Sequence, residues 1–212
     1  MARMSVADRR AALILAALRV IERDGVHGAT TRAIVAEARM PLASFHYAFL
    51  SRDELIRELI RTVVETEGQA ASETLSEQAG IRTSIRAGLQ AYFDLLVAEP
   101  NREQAMFELL HYSLRTEELH DLPKAQYSTY WKTAASVLEV GAKAARVQWK
   151  LPVAEVARLL VTFISGLTLA WLADRDAEAA ARTMDFAADS LAVLAEPISD
   201  LADAKTNQSI ER

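Results

Sequence analysis

An all-α fold is predicted for this chain of 212 residues, and three observations predict it. Alanine and leucine are abundant, whereas glycine and proline number only seven and five. Apolar residues recur at helical spacing through most of the chain, and no alternating run of β-branched residues marks a strand. With 51% hydrophobic residues the chain can bury a sizeable core, in one or two domains.

About nine helices are expected. The first runs from about Val6 to Asp24, with Ile14, Ala17, Leu18 and Ile21 on its buried stripe, and Gly25 stands where a left-handed C-terminal cap belongs. Thr30 or Thr31 caps a short second helix, Thr31 to about Ala38, whose Ile34, Val35 and Ala38 face inward. Met40-Pro41 interrupts it, because proline lacks an N–H and disfavours the helical conformation in its predecessor. A third short helix carries Phe45 and Phe49 on one face and leaves Leu42, Ala43, Ser44, His46 and Tyr47 largely outward. Ser51 and Glu54 form a capping box for a fourth helix, Arg52 to about Gln78.

The remaining five helices follow from the same periodicity. They are expected over Arg82–Ala98, from Asn101 (capped by Asn101 with Gln104) to Leu114, over Lys124–Trp149, from Pro152 to Asp174, and over Ala177–Ala195. Residues 199–212 are polar and read as a flexible tail.

Two short helices joined by a tight turn make a helix-turn-helix, and an outward face of small, hydroxyl and aromatic-polar side chains suits base edges and phosphates. The charge distribution agrees, although the whole chain carries a net −5. Residues 1–52 hold eight arginines, no lysine and four acidic residues; the rest of the chain is strongly acidic. The expected division is therefore a basic DNA-binding head at 1–52 and an acidic helical body at 53–198. The expected DNA contacts are Thr30, Thr31, Arg32, Leu42, Ala43, Ser44, His46, Tyr47 and Arg52. Arg52 lies at the positive end of a helix dipole, a position that a nearby phosphate would favour.

The spaced set Gly25, Thr30-Thr31, Ile34, Ala38, Phe45, Phe49, Arg52 and Leu55 resembles the TetR family of bacterial transcriptional regulators. The resemblance lies in residues 9–56. Ala38-Arg39-Met40-Pro41 departs from the small turn common in that family, Ala43 replaces a frequent glycine, and His46 a frequent tyrosine. It implies a homodimer that presents the second short helix of each subunit to the major groove of a double-stranded operator. A repressor released by an unidentified small-molecule effector is the function that follows.

Tyr92, Phe93, Phe107, His111, Tyr127, Tyr130 and Trp131 are the expected effector contacts, since pockets between bundle helices are apolar with a few convergent polar groups. Residues 159–173 contain no charge, yet this run is short for a membrane span, and no membrane association is expected. Phe163, Gly166 and Ala170, with Met184, Ala188 and Leu191 of the last helix, are the expected dimer contacts.

Several chemistries are not expected. Cysteine is absent, which excludes disulfides, thiol catalysis and thiolate metal sites. His111 and His120 lack the spacing that places two ligands on one helical face, so neither a metal nor a cofactor is expected. No glycine-rich phosphate loop or oriented serine–histidine pair points to an enzyme. Met1 to Arg10 is polar, and the cytoplasm is the expected compartment. The alternative is a helical small-molecule-binding protein or enzyme whose N-terminal helices do not bind DNA.

Overall fold

The computed structural model describes residues 4–73 and 79–198. Within them the chain forms α1 (Val6–Gly28), α2 (Thr31–Glu37), α3 (Leu42–Ala48), α4 (Arg52–Glu73), α5 (Ile81–Ala98), α6 (Pro100–Leu114), α7 (Leu122–Ala144), α8 (Val153–Asp174) and α9 (Ala177–Ala192). A single 3₁₀ turn, Glu117–Leu119, joins α6 to α7. The expected tail at 199–212 lies outside the described residues, as do the last residues of the expected fourth helix.

Side-chain caps set several helix starts. Ser5 accepts the Asp8 N–H at 3.0 Å, Thr30 the Ala33 N–H at 3.1 Å, and Ser51 the Glu54 N–H at 3.1 Å. Glu54 returns half of its box one residue early, accepting the Leu50 N–H at 2.8 Å. The capping box expected at Asn101 does not form. Proline is pre-set for the first helical turn, so α6 begins at Pro100 with Glu99 as its cap residue and no side-chain bond.

Gly25 does not act as a left-handed terminal cap. It takes φ 74° and ψ 173°, kinks α1, and lets one further turn continue to Gly28. The turn after α2 places Arg39 at φ 54°, a left-handed position reached here without glycine.

Two short strands end helices early in the C-terminal half of this all-α fold. β1 (Val147–Trp149) and β2 (Ala195–Pro197) pair antiparallel, with Gln148 opposite Glu196. The expected helices through Trp149 and Ala195 stop at Ala144 and Ala192 instead. Arg146 at φ 55° ends the helical path, and the pairing partner lies about fifty residues away, where local periodicity has no reach.

Two apolar clusters organise these elements. One joins α1 to α4 with Ala105, Met106 and Leu109 of α6, so the core beneath the helix-turn-helix extends into the later helices. The other gathers α5, α7, α8 and α9 around Leu89, Phe93, Trp171, Met184 and Leu191. Helix α8 is long and apolar enough to cross a membrane, with mean hydropathy 1.8 over its best window. Here it packs against α7 and α9 along one face.

Candidate functional site

Three layers make up the candidate site: an exposed helix pair, a bracket behind it, and an internal cavity. In the helix pair, Phe45 and Phe49 point inward, each 2% exposed, with ring centroids 5.8 Å apart. Their burial turns the opposite side of α3 outward: Tyr47 is 77% exposed, while Leu42, Ala43 and His46 are also exposed and Ser44 half-buried. Thr30 spends its hydroxyl on the cap of α2, and Thr31, in the first turn, has no side-chain bond among the described residues.

Half of the arginines in the basic segment are structural. Arg10 lies over the Phe49 ring at 4.2 Å, pairs with Glu54 at 2.9 Å, and donates to the Ala48 carbonyl. Arg19 and Arg23 both pair with Glu37, and those two hydrogen bonds hold its carboxyl below the usual range. Arg52 donates to the carbonyls of Ala29 at 2.8 Å and Val26 at 2.7 Å. Its guanidinium closes the chain ends around the α1–α2 turn, a role that periodicity could not show. Among the described residues, Arg9, Arg32 and Arg39 carry no ion pair. Arg9 shares a shallow surface groove with Pro41, Ser44 and Tyr47.

The bracket is made by α6. Glu108 Oε1 accepts the Val26 N–H at 2.8 Å. One turn later, the Tyr112 ring meets His27 edge-on at 4.9 Å and lies 6.0 Å from the Arg52 guanidinium.

On its other side α6 reaches a largely apolar cavity of ≈ 130 Å³, bounded also by α4, α5, α7 and α8. Of the expected effector contacts, Tyr92, Phe107, Tyr127 and Tyr130 line it. Phe93, His111 and Trp131 do not. Phe93 packs edge-on against Trp171 at 5.6 Å, His111 faces solvent, and Trp131 stacks under Arg158 at 3.6 Å. An α-helix offers several faces to neighbours, and aromatic spacing alone does not tell which one borders the space.

Sequence reasoning missed the polar end of this cavity, where Glu67, Glu103, Gln126 and Thr168 converge with the two tyrosine hydroxyls. Tyr92 Oη donates to Glu103 Oε2 at 3.2 Å and lies 2.7 Å from Thr168 Oγ1. Burial pushes Glu67 well above the usual carboxyl range, and the neighbouring Glu103 adds to the shift. Burial also raises Tyr92 and Tyr130 far above an ordinary phenol. A signal existed: Glu67 follows Val63 and Val64 by helical spacing, and Glu103 precedes Met106 and Phe107 likewise, so both acids fall on apolar stripes.

The expected dimer contacts divide. Gly166 and Ala170 are exposed on α8 and Phe163 half-buried, but Met184, Ala188 and Leu191 are at most 1% exposed within the subunit's own core. The stripe of α9 is satisfied internally by α5 and α8. Its outward aromatic residue is Phe186, 64% exposed and 6.2 Å from Phe163 between ring centroids.

Known proteins share this fold. Residues 13–59 match the family described as bacterial regulatory proteins, tetR family, and residues 81–196 match BetI-type transcriptional repressor, C-terminal. The HTH-type nicotine-responsive transcriptional repressor HdnoR of Paenarthrobacter nicotinovorans is 30% identical over 172 residues, covering 81% of this chain and 88% of that protein. A TetR-family regulator structure from Rhodococcus sp. has TM-score 0.74 at 18% identity, covering 87% and 98% of the two chains. The regulator FadR from Bacillus subtilis, in complex with stearoyl-CoA, has TM-score 0.62 at 16% identity, covering 86% and 97%. With residues 13–59 matched across the helix-turn-helix and a repressor-type body behind it, this chain belongs to the TetR family of bacterial regulatory proteins: it is a DNA-binding transcriptional regulator.

Proposed function

We propose that residues 1–52 read an operator as one head of a homodimer, and that an effector in the cavity releases it. The observation that carries the reading is α6. This one helix supplies Phe107 and Glu103 to the cavity wall and Glu108 and Tyr112 to the bracket that holds the α1–α2 turn. A ligand that favours a shifted α6 therefore favours a displaced head. A coupling of about 1–3 kcal/mol would weaken operator affinity about 5–150-fold.

On this reading Tyr47, Ser44 and His46 present hydrogen-bonding groups to the duplex, while Leu42 and Ala43 meet base edges and thymine methyls. Arg9, Arg32 and Arg39 supply phosphate contacts. Arg52 serves the head by holding its turn. Two-fold symmetry would set the two α3 helices about one DNA turn apart, roughly 34–36 Å. The second copy would pack on the outward face of α8, where Leu159 and Leu169 are 43% and 49% exposed, and on Phe186 of α9.

Binding to promoter fragments beside the coding region, followed through a salt titration, tests the proposal. Three free arginines in each of two subunits give a slope of about −5 in log affinity against log salt. Tyr47→Ala lowers affinity by about tenfold without changing the melting temperature, because Tyr47 packs against little. A flat salt dependence, or full binding by the variant, would reject the DNA assignment.

A further inference from the structure

We propose that the polar end of the cavity, where the buried oxygens of Glu103 and Gln126 stand as acceptors without partners, receives the protonated nitrogen of a primary or secondary organic amine. The inference rests on the reading of this cavity as the effector site, and it names the class of molecule the site takes.

Buried polar atoms in folded proteins nearly always have partners, so those left single on a cavity wall show what a ligand must bring. Glu103 is 5% exposed, and its Oε1 meets no amide, hydroxyl or N–H donor. Gln126 is 2% exposed, and its Oε1 is single as well. The orientation of that amide is set by Nε2, which donates to the Met106 carbonyl at 3.5 Å and to Tyr130 Oη at 3.2 Å. Turned over, it would set one carbonyl oxygen against another. Ser84 Oγ is a third unpartnered oxygen on the wall. The unpartnered nitrogens nearby, Arg102 Nε and Nη2, belong to a residue that does not line the cavity. An entering carboxylate would face the Glu103 carboxylate and the Gln126 carbonyl oxygen, both acceptors; an ammonium N–H would meet its complements there.

The charge at the site selects a monocation. Glu67 stands beside Glu103 and shares a hydrogen bond with it, and burial with that neighbour pushes its carboxyl toward the protonated form, so the pair favours a single negative charge. Arg102 compensates that charge only in part: its Nε stands 3.7 Å from Glu103 Oε1, beyond hydrogen-bond distance, while its Nη1 is engaged with Glu99 at 2.6 Å. The rings of Tyr92, Tyr127, Tyr130 and Phe107 add faces that attract a cation. Beyond them Ile85, Leu89, Leu160 and Ile164 can hold the hydrocarbon part of the ligand. The need for N–H groups separates a primary or secondary ammonium from a quaternary one, which carries the charge but donates nothing.

Isothermal titration of the full-length protein with phenethylamine, its N-methyl and N,N,N-trimethyl derivatives, phenethyl alcohol and hydrocinnamate tests this. The two amines bearing N–H groups are expected to bind more tightly than the trimethyl derivative, by about tenfold or more, and hydrocinnamate weakest of all. Glu103→Gln lowers amine affinity by about tenfold or more and leaves that of the alcohol unchanged. Gln126→Leu, which removes an acceptor but no charge, acts in the same direction. Equal binding of the trimethyl derivative, preference for the carboxylate, absence of amine binding at millimolar concentration, or amine binding unchanged in Glu103→Gln overturns the proposal. Ala134→Phe and Ser165→Phe fill the cavity from two different helices and abolish all binding. If both variants bind the series as the parent does, the effector-cavity reading itself fails.

Discussion

Glu108 of α6 accepts the backbone N–H of Val26 at 2.8 Å, across 82 residues of sequence, and Gly25 provides the room in which it does so. A Cβ built on Gly25 would stand 2.8 Å from Glu108 Oε1. The contact ties the cavity helix to the turn that orients the reading head.

Gly25→Ala therefore meets two costs at once. Its φ of 74° and ψ of 173° lie in a region almost reserved for glycine, worth about 1–3 kcal/mol of strain in any other residue. The methyl group also displaces the Glu108 carboxylate. Urea unfolding should show a lower midpoint for Gly25→Ala. In the Glu108→Ala background the steric part vanishes and the backbone part remains, so the two substitutions are non-additive.

Arg52→Ala separates a structural role from a phosphate contact. Two charge-assisted bonds to the Val26 and Ala29 carbonyls are lost; the Val26 carbonyl keeps the Ala29 N–H at 3.2 Å, and the Ala29 carbonyl is left behind. A stability loss of about 1.5–3 kcal/mol is expected in the absence of DNA. Lysine cannot reach both carbonyls with a planar fork, so Arg52→Lys recovers only part of that loss. Unchanged unfolding of Arg52→Ala would return this side chain to the DNA surface.

Phe186→Asp and Ala170→Asp test self-association. Phe186 and Ala170 both face outward from the single subunit, and a Cβ at neighbouring Gly166 would meet nothing within 4 Å, leaving space for a second helix. A carboxylate placed in an apolar interface loses its hydration without a partner. Sedimentation should show a shift from dimer to monomer at micromolar concentration, with helical content unchanged by circular dichroism. Met184→Ala, by contrast, removes core volume and should lower stability by about 2–5 kcal/mol, as expected of a residue facing inward.

The helix-turn-helix was legible because its determinants are local: two phenylalanines four apart, a proline break, and hydroxyls at helix starts. The body was legible as helices, but not in its internal assignments. Phe93 and Tyr92 are adjacent on α5 and both are buried, yet one meets Trp171 and the other the cavity. That difference depends on where α8 lies, which no stripe on α5 encodes. The structural role of Arg52 escapes the sequence for a similar reason, since its carbonyl partners come from a turn 23 and 26 residues earlier. The β1–β2 pair is short and made from segments that continue helical patterns, so only the tertiary pairing reveals it.

Glu67→Gln isolates the titration of the buried acid pair. Burial, the negative neighbour Glu103 and its hydrogen bond hold the folded-state pKa of Glu67 well above its unfolded value, with Arg102 opposing. The groups that face it are Glu103 and Arg102 from α6, Tyr92 from α5 and Tyr130 from α7. Both phenols titrate far above their ordinary value and stay protonated through the neutral range. A raised carboxyl pKa means that the folded state holds the proton more tightly. Its contribution is complete below the unfolded value, roughly 4.3, and is lost as pH rises through the folded value. Glu37, Glu54, Asp121 and Asp189 have lowered pKa values and act in the opposite direction as pH falls, but they are common to both proteins. The melting temperature of the parent minus that of Glu67→Gln should therefore decline from acid toward alkaline pH and level off once Glu67 ionises. A difference that rises with pH would show an ionised Glu67 stabilised by Arg102, and would remove the single shared charge on which selection of a monocation rests.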